Sequence, residues 1–139
     1  MYIRAFEAFM DEPMYSRYAV YFCPRPDSDL ARFGASWLGW DVEKGQTINH
    51  PDIEGFPESI EDLTETPRKY GFHGTIKAPF RLATGQDEAA LSQALNRFAT
   101  AHNRFEIGIF EVSRIGGFVA LTQKSPNPAL GKIAGHCVI

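Results

Sequence analysis

The chain has 139 residues, 44% of them hydrophobic and 22% charged, with a formal net charge of −3. That length suffices to bury most of its surface around one core or two small lobes, and a globular domain is expected. No apolar run approaches the roughly 20 residues of a membrane span, and Met1 to Glu12 carries acids where a targeting leader carries bases, so a cytoplasmic location without a membrane partner is expected. Cys23 and Cys137 are too far apart in sequence for a Cys-x-x-Cys pair and too few for a disulfide framework, which suits buried thiols in a reducing compartment.

Residues 1–16 read as an N-terminal extension. From Arg17 to Cys23, Tyr18, Val20 and Phe22 alternate with Ala19 and Tyr21, the pattern of a half-buried strand, and Pro24 and Pro26 end it. Asp27 or Ser28 then caps an expected helix over Leu30 to Leu38, where Leu30, Phe33, Trp37 and Leu38 form an apolar core stripe. From Gly39 to Pro67 no period is sustained. This segment reads as a long loop with at most a helical turn at Ser59 to Leu63.

Tyr70 to Phe80 is expected to be the second strand. A helix follows over Glu88 to Ala101, with Leu91, Ala94, Leu95 and Phe98 on one face. Two neighbouring strands are expected at Phe105 to Phe110 and Gly117 to Thr122, and an amphipathic helix begins near Ala129 and runs out at Ile139. Strand, helix, strand, helix, strand, strand, helix is an α+β order, expected as a mostly antiparallel sheet with helices packed on one face. No Gly-rich phosphate loop or Gly-x-Ser-x-Gly elbow occurs.

Charge is uneven. Asp41 to Thr66 holds eight acids against Lys44 alone, whereas Pro67 to Thr84 holds Arg68, Lys69, Lys77 and Arg81 and no acid, which would attract an anion. Within that basic segment a period of two puts Tyr70, Phe72, Ile76 and Ala78 on one face of the strand, as core, and His73, Thr75 and Lys77 on the other. Residues two apart on a strand stand ~6.6 Å apart, so an imidazole, a hydroxyl and an ammonium can surround one phosphate. His73 can act as general base or acid, Thr75 can donate to a phosphoryl oxygen and Lys77 can neutralise charge. The competing reading is an ordinary polar strand edge.

The segment Arg68-Lys69-Tyr70-Gly71-Phe72-His73-Gly74-Thr75-Ile76-Lys77-Ala78-Pro79-Phe80 resembles the first motif of the two-histidine phosphoesterase superfamily, whose members place a His-x-Thr or His-x-Ser on each of two strands. It is most similar to the bacterial branch often encoded beside phosphonate-degradation genes, as are Arg17 to Phe22, Leu30 to Gly34 and Trp37 to Gly39, so the resemblance spans Arg17 to Ile139. It implies a two-lobed fold, a small cyclic or diester phosphate substrate, and a hydrolase in which His73 is one of two catalytic histidines and Thr75 binds phosphate; Arg68 and Lys69, just before the motif, are expected to join Lys77 in meeting substrate charge, or else are ordinary surface residues. The resemblance implies no cofactor and no metal.

The second half-site is not found: His50, His102 and His136 each lack a hydroxyl residue two positions later. On this reading residues 17–139 form an incomplete, C-terminally truncated domain, inactive alone and prone to self-association through an exposed sheet edge. The alternatives are an RNA-end-processing or RNA-binding relative, disfavoured by the acidic charge, and a non-catalytic remnant. His50, Asp52 and Glu54 alternate in a Pro-broken loop and make a poor metal set. His102 is accounted for by its place at a helix C-terminus, and Tyr70 and Phe72 by core packing in preference to base stacking.

Overall fold

The structure, a computed structural model, describes residues 17–138, so the N-terminal extension lies outside the described residues. The architecture is α+β, with four helices and three two-stranded antiparallel sheets among the described residues in place of one larger sheet. The chain divides into two compact units, Met1–Phe80 and Arg81–Ile139.

In the first unit, β1 (Tyr18–Phe22) pairs with β4 (Gly74–Phe80). Tyr18, Ala19, Val20 and Tyr21 are all buried, so β1 is covered on both faces and not on one as its alternation suggested. The helix α1 (Asp29–Leu38) starts where Ser28 accepts a hydrogen bond from the Ala31 amide and ends at Gly39. Its buried positions are Gly34 and Leu38, one turn apart, while Phe33 of the expected core stripe is 51% exposed. The reason lies at Gly34, where the missing side chain lets the Phe72 ring lie against the helix and moves the buried line away from Phe33.

The expected long loop contains regular structure. Trp40–Asp41 (β2) and Gln46–Thr47 (β3) form a short hairpin, and α2 (Ile60–Arg68) is a full helix of nine residues. Ser59 caps α2 and Glu61 and Asp62 sit in its first turn, where acids suit the helix dipole. α2 packs on α1. It was hidden because only Ile60 and Thr64 are buried, and Thr64 buries its hydroxyl by donating to the Ile60 carbonyl at 2.7 Å.

The second unit opens with α3 (Glu88–Thr100), capped by Asp87, whose carboxylate accepts from the Ala90 amide at 2.8 Å. Strands β5 (Phe110–Ile115) and β6 (Phe118–Gln123) pair in unbroken register from Phe110 opposite Gln123 to Ile115 opposite Phe118. The strand expected over Phe105 to Phe110 begins only at its last residue, because Gly108 sits at φ 93 and interrupts the alternation. The preceding residues are held by side-chain amides instead: Gln123 Nε2 donates to the Ile107 carbonyl at 2.7 Å and Asn127 Nδ2 to the Glu106 carbonyl at 2.8 Å. Asn127 also caps α4 (Pro128–His136), accepting from the Ala129 and Leu130 amides. Among the described residues no helix is long and apolar enough to cross a membrane.

Candidate functional site

The expected strand from Tyr70 does not start until Gly74. Gly71, at φ 70, turns the chain left-handed between α2 and β4, a conformation a side chain would strain. A Cβ there would also meet Val42 at 3.0 Å. The turn brings the Gly71 carbonyl back to His73, whose Nδ1 lies 2.9 Å from it. A carbonyl only accepts, so Nδ1 carries the proton and Nε2 is left as the unprotonated nitrogen of the neutral ring. Nε2 has no hydrogen-bond partner among the described residues.

The ring of His73 stacks on that of Tyr21, with centroids 3.9 Å apart and planes 29° from parallel. Tyr21 also stands directly opposite Thr75 in the β1–β4 register, and residues paired in this way share a face of the sheet. Tyr21, His73 and Thr75 therefore gather on one side of the β1–β4 pair, with the Thr75 side exposed and His73 half-buried. Tyr70 lies beyond, its ring centroid 6.3 Å from that of His73. Burial above all, with Tyr70 and Cys23 nearby, pushes the Tyr21 phenol above its usual range and keeps it protonated at neutral pH. Sequence reasoning treated Tyr21 only as a strand residue. Its role depends on pairing with a segment some fifty positions away, which no local pattern encodes.

Lys77 is placed differently from the expectation of period two. Tyr21 pairs with Thr75 and the adjacent Val20 with Lys77, so one step on β1 spans two on β4 and Ile76 is a bulge. The alternation is reversed there: Lys77 shares a face with Val20 and sits over the Phe80 ring, its Nζ 5.4 Å from the centroid. Tyr70, assigned to the core by periodicity, is 48% exposed, and Ala78 is exposed as well, because the Gly71 turn and the bulges break the phase on either side of β4.

Arg68 is engaged at the end of α2. Its Nη2 donates to the Glu61 carbonyl at 3.0 Å and approaches His50 Nε2 at 3.3 Å, and its Nη1 is 3.7 Å from the Glu61 carboxylate. Lys69 follows as the exposed C-cap of that helix. The other nitrogen of His50 donates to the Trp37 carbonyl at 3.0 Å, so both ring nitrogens have protein partners and neither is turned to a metal. Among the described residues no three His, Cys, Asp or Glu side chains cluster as a metal site.

A cavity of about 310 Å³ opens beside His50, lined among others by Asp52, Phe56, Glu58 and Glu61. Three carboxylates make it a poor host for a phosphate, and none of Tyr21, His73 and Thr75 lines it. Neither Cys23 nor Cys137 forms a disulfide, and both are half-buried.

Comparison with known proteins finds that residues 75–139 match a family described as "Protein of unknown function (DUF1045)". The match starts at Thr75, two residues past His73. Two curated relatives are both named ribose 1,5-bisphosphate phosphokinase PhnN. The protein from Janthinobacterium sp. (strain Marseille) is 37% identical over 124 residues, 88% of this chain and 27% of the relative. The protein from Laribacter hongkongensis (strain HLHK9) is 32% identical over 118 residues, 85% of this chain and 28% of the relative. The chain thus spans little more than a quarter of the length of these relatives. No solved structure matches the chain.

Proposed function

We propose that this chain carries one half of a two-histidine phosphoesterase site acting on a small cyclic or diester phosphate, with a place in phosphonate metabolism. The observation that carries this function is His73: its Nδ1 proton is committed to the Gly71 carbonyl, its Nε2 lone pair has no partner among the described residues, and the exposed Thr75 stands on the same face. In hydrolysis, Nε2 takes the proton of the attacking water as the phosphorus–oxygen bond forms, and the Thr75 hydroxyl donates to a non-bridging phosphoryl oxygen. The leaving alkoxide needs a proton at the same time. We assign that role to a second histidine, in a second lobe that these 139 residues do not supply. Of the three cations proposed to attract substrate, Lys69 is exposed, Lys77 is half-buried above Phe80 and Arg68 is already paired, so Lys69 carries most weight. No metal or cofactor enters this scheme.

The name of the two relatives points to a phosphorylated ribose as the kind of molecule handled by the longer proteins, which suits a ribose-based phosphodiester here. It also raises a second function, a supporting role in phosphoryl transfer, although the segment lacks a Gly-rich phosphate loop.

The test assays the 139-residue chain and the full-length gene product on a 2′,3′-cyclic nucleotide and a cyclic ribose phosphate, with and without chelator. Metal-independent turnover by the full-length protein, reduced on the order of 10²- to 10⁴-fold by His73→Ala, is expected, with little turnover by the short chain. Turnover untouched by His73→Ala would remove the proposal. Salt-dependent RNA binding would favour the RNA-end alternative, and phosphate binding without turnover in any form a non-catalytic remnant.

A further inference from the structure

A single hydrogen bond defines a line and not a plane. With Nδ1 held by the Gly71 carbonyl and Nε2 without a hydrogen-bond partner among the described residues, the imidazole of His73 could still swing about that bond, and its χ2 torsion is intrinsically broad. A general base loses rate when its lone pair wanders from the line of the proton it must take. Something flat must therefore bear on the face of the ring.

Tyr21 has the shape and the attachment for this. Its ring covers one face of the imidazole at 3.9 Å, and its backbone belongs to β1, directly opposite Thr75. It is only 7% exposed and so cannot itself present much surface to a ligand. One residue thereby meets the imidazole with its ring and the hydroxyl-bearing residue through the sheet.

We infer that Tyr21 is a positioning residue: its ring, together with the Gly71 carbonyl, fixes the plane of His73 and the spacing between His73 Nε2 and the Thr75 hydroxyl. This rests on the proposal that His73 is catalytic. A phenol is neutral across the range in which an imidazole titrates, and burial moves this one further from it, so the supporting surface does not change charge there.

The test is made by NMR on the 139-residue chain and by kinetics on the full-length protein. In the wild type, the His73 ring protons should lie upfield, shifted by the Tyr21 ring, and its ring nitrogens should report one tautomer, protonated at Nδ1. Tyr21→Phe keeps the ring and should preserve both signatures and the activity. Tyr21→Met keeps much of the bulk and removes the flat face. It should abolish the upfield shift, mix the tautomers and lower kcat by up to about 10²-fold with KM unchanged.

Unshifted His73 ring protons in the wild type overturn the inference without any variant, which covers the case in which Tyr21→Met does not fold. A single Nδ1–H tautomer surviving in folded Tyr21→Met overturns it too. If instead the tautomer depends on Tyr21 but turnover is indifferent to His73→Ala, the positioning holds and the catalytic proposal falls, so the two failures are told apart.

Discussion

His136 Nδ1 lies 3.0 Å from His102 Nε2, joining the last residue of α4 to the segment that follows α3. His102 Nδ1 in turn donates to the Phe98 carbonyl at 2.7 Å, so its Nε2 is the acceptor and His136 the donor. The two imidazoles thus extend the hydrogen bonding of one helix end to the other. His102 does stand just past the C-terminus of α3, but the sequence reading of that place as one for a cation leaves out this partner, toward which the ring acts as an acceptor. Because the pair is exposed, its net contribution is about 0.5–1 kcal/mol. His136→Ala should accordingly speed amide exchange in α4 a few-fold while leaving β1 and β4 unchanged. Equal exchange in both proteins would show that the bond contributes nothing in solution.

Gly34 and Phe72 predict a substitution that fails against helix propensity. A Cβ on Gly34 would stand 2.2 Å from Phe72 Cγ, and the ring atoms nearest it are at the root of the side chain, where little can give way. Alanine in a helix normally gains about 1 kcal/mol over glycine. Overpacking costs about 1–3 kcal/mol. Gly34→Ala is expected to lower the urea midpoint for the first unit, and to raise it in a Phe72→Gly background, where the ring and the Phe72 Cβ that would stand 2.6 Å away are both gone. The same sign in both backgrounds would remove the contact from the account.

Helix starts were legible because each is written within a few residues: Ser28, Ser59, Asp87 and Asn127 all accept from amides of the first turn. The extent of α2 was not, since its buried line passes through Thr64, a polar residue made apolar in effect by bonding to its own helix. At the candidate site, His73 and Thr75 fell on one side of the β1–β4 pair, though by way of the Gly71 turn and the Tyr21 ring and not by alternation, since His73 precedes the strand. Lys77 did not, because register between β1 and β4 is set by pairing across the whole first unit and a bulge at Ile76 leaves no trace in composition. Tyr21 was invisible as a neighbour of His73 for the same reason.

Asp41 predicts an acid-sensitive hairpin. Its Oδ1 accepts from the Glu43 and Lys44 amides at 3.0 and 3.1 Å, and its Oδ2 is 3.3 Å from Lys44 Nζ. Burial alone would raise this carboxyl, but the Lys44 amide and ammonium and the Glu43 amide outweigh it and hold the group below the usual carboxylate range. A depressed native value means the stabilisation is present above the unfolded-state value of about 3.9 and is lost as pH falls through the native one. Asp41→Ala should cost about 1–2 kcal/mol at pH 7, and less at low pH. Asp41→Asn should keep the two amide bonds and lose the acid dependence. A penalty for Asp41→Ala that does not shrink on acidification would contradict this.

The β5–β6 hairpin carries the last prediction. Register places Phe110, Val112 and Arg114 on one face with Val119, Leu121 and Gln123, and there Val112 is 73% and Val119 70% exposed. On the other face Ile115 and Phe118 are 46% and 60% exposed. The two strands form a sheet of their own, so each also has an edge of backbone groups unpaired within that sheet. Two strands with apolar side chains on both faces are marginal in water, and open edges pair readily with other chains. The isolated 139-residue chain is therefore expected to self-associate as its concentration rises. Sedimentation velocity over a hundredfold concentration range checks this, and Val112→Lys with Val119→Lys should return the chain to monomer without altering the far-ultraviolet spectrum. Both positions are largely exposed, so the lysines remove little packing; the cost that remains is repulsion between the Val119→Lys side chain and Arg114 opposite it, about 0.2–1 kcal/mol, while like charges brought face to face between copies oppose the contact. A wild-type chain that stays monomeric throughout, or a double variant that associates as before, would show that this hairpin is not the surface responsible.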